Sequence, residues 1–156
     1  MNFSLDPAAG SMASPSTDEL ENELKTAANI EDYLSGNKKY MLSHNLPEHL
    51  EMLLSQKGLR KADVVRGSLL DRSYVYQIFS GEKTPSRDKL IAIAFGLHLS
   101  DVETQKMLKL SGNRELYARD ERDAMILFAL HQKKSVFDVN ELLFNHDLPV
   151  LNTSKM

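Results

Sequence analysis

The stretch from Arg60 to Ser86, RKADVVRGSLLDRSYVYQIFSGEKTPS, constrains this chain most. It reads as two short helices joined by a tight corner, with a polar face left over. The second helix is expected to begin after Asp71, whose carboxylate suits both an orphan amide and the positive end of a helix dipole. At helical spacing Val75, Ile78 and Phe79 fall on one side, and Arg72, Ser73, Tyr76 and Gln77 on another. The first set is expected to pack inward and the second to be free for contact.

The second helix runs into a Phe79-Ser80-Gly81 corner, and a new helix restarts at Thr84-Pro85-Ser86. On these residues the segment resembles the helix-turn-helix of the lambda-repressor and Cro type, also called the xenobiotic-response-element type. The resemblance covers about residues 46–111. It implies a five-helix domain whose recognition helix lies in the major groove, with the preceding helix across the backbone. Carried over by position, Arg72, Ser73 and Gln77, with Tyr76 beside them, are the base-reading candidates. Lys61 falls where the family often places a phosphate-contacting Gln; Arg66 and Lys83 complete the expected phosphate contacts. The chain departs from the family in two places: Val65 stands where the first helix usually has a small residue and Leu69 where the turn usually has a glycine, and Gly67 lies earlier than the usual turn glycine.

The chemistry of those side chains agrees with the roles. Arg can pair bidentately with guanine and Gln with adenine, each worth ~1–3 kcal/mol of discrimination, whereas Ser is permissive. Tyr76 can touch a thymine methyl or stack on a sugar. Equally, Tyr and Arg anchor protein hot spots. Tyr74 is expected to be half-buried with its hydroxyl at the rim.

Net charge is −3, with a pI near 5.9, which by itself argues against a nucleic-acid partner. The distribution says more. From Lys57 to Leu90 there are eight basic residues against Asp63, Asp71, Glu82 and Asp88, whereas Asp18, Glu19, Glu21, Glu23, Glu31 and Asp32 make the N-terminal part acidic. Screening over about 8–10 Å lets a locally basic face coexist with an acidic whole.

The fold expected is all-α, a lambda-repressor-like domain with an acidic N-terminal helix before it and a helical pair after it. Residues 1–16 read as a disordered lead-in in which Gly10-Ser11 before Met12 resembles a cloning junction. Residues 17–44 read as an acidic helical arm capped by Thr17, with Leu20, Leu24, Ala27 and Ala28 as a narrow stripe and a second turn from Ile30 to Leu34. This arm either packs on its own domain, or pairs with a partner chain or mimics DNA charge. The DNA-binding domain spans 45–111, with Pro47 in its first helical turn. Residues 112–149 form a C-terminal extension in which Ala124 to Leu130 is apolar nearly all round and Val136, Val139, Leu142, Leu143 and Phe144 make a second stripe. That pair is either a cap on the core or the interface of a homodimer. Residues 150–156 read as a disordered tail.

Other chemistry is weakly supported. There is no cysteine, no apolar run reaches the ~18–20 residues of a membrane span, and the five histidines lack metal-ligand spacing. Asp120, Glu121 and Asp123 read as a solvated helix start, and Gly58, Gly67 and Gly81 as punctuation. No enzyme, cofactor or metal is expected. The function expected is a sequence-specific transcriptional regulator on double-stranded DNA in a bacterial cytoplasm. The alternative is a protein-interaction adaptor that keeps the fold and binds a protein partner, for which the acidic N-terminal helix is a candidate surface.

Overall fold

A computed structural model describes residues 15–151, with the side chains of 42–44 left aside. The expectations for residues 1–14 and 152–156 lie outside the described residues. Among those described, the chain forms nine α-helices and no strand. They are α1 Thr17–Thr26, α2 Ile30–Gly36, α3 Leu42–Lys57, α4 Lys61–Ser68, α5 Arg72–Ser80, α6 Arg87–Gly96, α7 Asp101–Leu110, α8 Glu121–His131 and α9 Val136–Asn145. A short 3-10 turn, Lys38–Tyr40, joins α2 to α3.

Side-chain caps set most of the starts. Ser86, Ser100, Asp120 and Ser135 each accept the amide three residues on, satisfying a donor the helix cannot. Ser16, not Thr17, caps α1, and Glu19 returns the bond to the Ser16 amide. Helix α3 begins at Leu42, three residues before the expected boundary, so Pro47 lies inside it rather than in its first turn.

Helix α6 is the centre of the molecule. Every residue from Lys89 to Gly96 is buried, so the helix is enclosed on all sides. Leu50, Leu53 and Leu54 of α3, Val64 of α4, Val75, Ile78 and Phe79 of α5, and Met107 and Leu108 of α7 belong to the same core. Helices α4 and α6 cross with their backbones almost touching at two glycines: a Cβ on Gly67 would lie 2.9 Å from the Gly96 Cα. Gly67 is therefore a crossing point within α4 rather than the punctuation expected of it. The corner after α4 turns on Leu69, which takes the left-handed conformation (φ 62°) that a glycine usually fills.

The C-terminal pair closes over the same core. Ile126, Ala129 and Leu130 of α8 and Val136, Val139 and Leu143 of α9 are buried in it. The apolar sets are not wholly inward, however: Phe128 and Phe144 are 54% and 72% exposed. At helical spacing Phe128 falls on the side of α8 opposite Ile126, Ala129 and Leu130, and Phe144 at the edge of the Val136-Val139-Leu143 stripe of α9. The acidic cluster at the start of α8 is also not simply solvated. Asp123 is 1% exposed and meets the Arg87 guanidinium at 3.0 Å, while Arg122 pairs with Asp88 through two bonds of 3.1 and 3.0 Å. Adjacent residues of opposite sign on α6 thus join adjacent residues of opposite sign on α8. Arg122 also donates to the carbonyls of Pro149 and Val150, and Asn140 bonds both backbone groups of Leu151. Ordered packing therefore runs past Pro149, and Leu151, expected in the tail, is buried.

Candidate functional site

Helix α5 is held from beneath and open above. Val75, Ile78 and Phe79 fix it to the core, and Gly81 ends it in a left-handed cap (φ 87°). On the outer arc Arg72, Ser73 and Tyr76 are exposed, and Gln77 is half-buried. The spacing that divides these two sets in the sequence is the one the helix realises.

The outer side chains are partly engaged with one another. The Arg72 guanidinium donates to the Tyr76 hydroxyl at 3.4 Å and lies 5.2 Å from the ring centroid. Lys61, at the start of α4, reaches the same ring at 5.6 Å and the Phe79 ring at 5.7 Å. Its ammonium is also 3.4 Å from the Glu51 carboxylate. Tyr76 is consequently flanked by two cations, an arrangement that holds flexible side chains upright by cation–π attraction. Position along the sequence does not disclose the Lys61 contact, because α3 contributes Glu51 from ten residues upstream.

Asp71 occupies the cap position of α5 but makes no side-chain capping bond there; its carboxylate accepts the Ser73 hydroxyl at 3.1 Å. The expected cap is thus replaced by a local bond that occupies the Ser73 donor. At the other end, the Gln77 carbonyl accepts from the Lys83 amide and the Ser80 hydroxyl, both at 3.1 Å. These bonds fix the loop that displays Lys83, whose side chain is exposed.

Arg66 lies apart from the Arg72–Tyr76–Lys61 group and bonds Asp63. Arg60 approaches the same carboxylate at 3.6 Å and is exposed, making it a surface cation that the site assignment from sequence left out. Its presence in the basic run was the available signal. Asp63 is held below the usual carboxylate range first by the Arg60 backbone amide, then by the charges of Arg60 and Arg66. Of the eight basic residues between Lys57 and Leu90, Arg87 and Lys89 are turned away into the interior and Lys57 is paired with Glu103. The basic surface is narrower than the run suggests and consists of Arg60, Lys61, Arg66, Arg72 and Lys83.

Scanned against protein-family models, curated proteins and solved structures, the chain matches none.

Tyr74 is half-buried, as its place beside the apolar set implies, and burial raises its hydroxyl pKa. Lys89 lies 5.6 Å from its ring. No group of three or more metal-ligating side chains occurs among the described residues, and no helix among them is long and apolar enough to cross a membrane. The chemistry the outer face offers is a guanidinium fork, an amide, hydroxyls and surface ammonium groups. These are hydrogen-bonding and charge-pairing groups.

Proposed function

We propose that the chain is a sequence-specific DNA-binding transcriptional regulator of the lambda-repressor and Cro type, with α4 and α5 as its helix-turn-helix and α5 as the recognition helix. The observation that carries this reading is the outward arc of α5, with Arg72, Ser73, Tyr76 and Gln77 above a buried Val75-Ile78-Phe79 base. In this reading Arg72 and Gln77 address base edges from the major groove, and Tyr76 contacts a thymine methyl or a sugar. Lys61, Arg66 and Lys83 meet phosphates and set the register. Arg72 and Lys61 exchange their contacts with Tyr76 and Glu51 for contacts with the duplex. A homodimer would place two copies of α5 one turn apart, ~34 Å, on a near-palindromic site. The test is selection from a random duplex pool at two salt concentrations, with the solution mass measured alongside. A recovered motif and a steep salt dependence support the reading, and a pool that stays random overturns it.

A second reading, a protein-interaction adaptor, draws on the arm. Neither α1 nor α2 has a buried residue, and Leu24, Ile30 and Leu34 are exposed. Retention of a protein insensitive to nuclease, without salt-dependent retention of DNA, distinguishes it.

A further inference from the structure

Helices α6 and α8 end beside one another, and a cavity of about 170 Å³ opens between the residues that follow their last turns. Phe95 and Leu99 from the first helix end and Leu130 from the second form its apolar floor, none exposing more than 5% of its surface. His98, Lys133 and Lys134 form its rim and are exposed. Among the described residues no carboxylate lines it.

Both helices stop by the same turn. His98 (φ 56°) and Lys133 (φ 57°) take the left-handed conformation. The His98 and Leu99 amides donate to the Phe95 and Ala94 carbonyls at 3.1 and 3.0 Å, and the Lys133 and Lys134 amides to the Leu130 and Ala129 carbonyls at 3.1 and 2.9 Å. Backbone groups thus close both helix ends, and the three rim side chains make no hydrogen bond or ion pair among the described residues. Glycine would adopt either turn without the ~1–2 kcal/mol that a side chain costs there. The chain instead carries an imidazole and an ammonium at the two positions. A lysine at a helix end answers the helix dipole wherever it stands; two lysines and a histidine around one apolar recess are more than the dipole asks for. Lys134 also borders a second recess, with Asp138 and Glu141, so its charge is divided between the two.

The lining selects its occupant. A fully hydrated ion gains nothing from three apolar side chains, and a cation is repelled by the rim. We propose that the cavity binds a small monocarboxylate with an apolar body, its ring or short chain on Phe95, Leu99 and Leu130 and its carboxylate on Lys133, with His98 and Lys134 beside it. Size sets the upper limit. An apolar cavity of about 150 Å³ holds benzene, so this one takes a ring or a chain of about six carbons. Binding here would not require that α5 contact DNA.

The test follows the backbone amide resonances of the full chain while benzoate, hexanoate, benzamide and acetate are added in separate titrations. Saturable shifts centred on His98, Leu99, Lys133 and Lys134 are expected with benzoate or hexanoate. Benzamide, which keeps the ring without the charge, and acetate, which keeps the charge without the body, should each bind about tenfold more weakly or worse. Lys133→Gly should weaken the carboxylate by about fivefold or more while the urea midpoint holds or rises, because glycine relieves the turn and the loss then cannot come from unfolding. Lys133→Gln, which removes the charge and keeps a side chain, should weaken it as much. No saturation with either carboxylate, equal binding of benzamide or acetate, shifts centred elsewhere, or full affinity in the Lys133 variants would each overturn the proposal.

Discussion

Gly67 and Gly96 let α4 and α6 meet backbone to backbone. A Cβ on Gly67 would come within 2.9 Å of the Gly96 Cα, and one on Gly96 within 2.8 Å of the Val64 carbonyl oxygen. Neither obstacle is a side chain that can swing aside. Gly67→Ala should therefore destabilise the protein by about 1–3 kcal/mol despite the better helix propensity of alanine. Urea unfolding followed by circular dichroism measures this; a variant as stable as the parent would mean that the helices separate freely.

Leu69 presents the opposite case. It holds a left-handed conformation at φ 62° with 49% of its surface exposed. The strain of a side chain there is about 1–2 kcal/mol, against about 0.5–1 kcal/mol for the extra chain freedom that glycine brings to the unfolded state. Leu69→Gly should raise stability by roughly 0.5 kcal/mol, seen as a higher urea midpoint at unchanged slope.

The Arg87–Asp123 pair should be expensive to break from one side. Asp123 also accepts the Tyr117 amide at 2.9 Å, so its loss strands several donors. Asp123→Ala is expected to cost ~3–5 kcal/mol, and adding Arg87→Met should recover part of that loss. A double-mutant cycle on unfolding free energies gives the coupling; strict additivity of the two changes would contradict it.

His49 and Glu103 are among the groups that make stability depend on pH. His49 is pushed below its ordinary 6.5, first by burial and then by Lys106, and its Nε2 is buried without a hydrogen-bond partner among the described residues. The unfolded chain therefore takes up this proton first, and its contribution, full above 6.5, is lost as pH falls toward the lowered folded value. Glu103 is held below its ordinary 4.5, first by the Lys57 hydrogen bond and then by the Ser100 amide. Its contribution is present above 4.5 and lost as pH falls through the depressed folded value. Urea midpoints across pH should decline in both windows, His49→Gln flattening the upper and Glu103→Gln the lower.

The DNA-binding proposal separates residues by role. Gln77→Ala should relax preference at one base position, costing ~1–3 kcal/mol of discrimination there. Lys61→Ala should weaken all duplexes alike and lower the salt slope by ~0.9. Competition binding with a selected duplex and its single-base variants, repeated at several salt concentrations, reads both. If neither change alters binding to any duplex, the outer arc of α5 is not the contact face.

Much of this architecture is legible in periodicity and punctuation. Val75, Ile78 and Phe79 identify the inner side of α5, and Ser86, Ser100 and Ser135 mark helix starts, because those signals are local. What escapes is set by residues far apart in sequence. Asp120, Glu121 and Asp123 look like a solvated helix start until Arg87 arrives from 36 residues away. Phe128 and Phe144 look like core until the packing shows which side of α8 and α9 is turned inward. At the candidate site, the outward set on α5 follows from spacing, whereas the engagement of Lys61 with Glu51 and Tyr76 depends on how α3, α4 and α5 meet.

Helix α6 has no wet side between Lys89 and Gly96. Every other long helix can change its outer residues without consulting its neighbours, but a substitution here must be accommodated by whichever layer it points into. The innermost helix thus acts as a mould shared by the front and back of the molecule. New surface chemistry can accumulate on either side only so long as the mould keeps its shape.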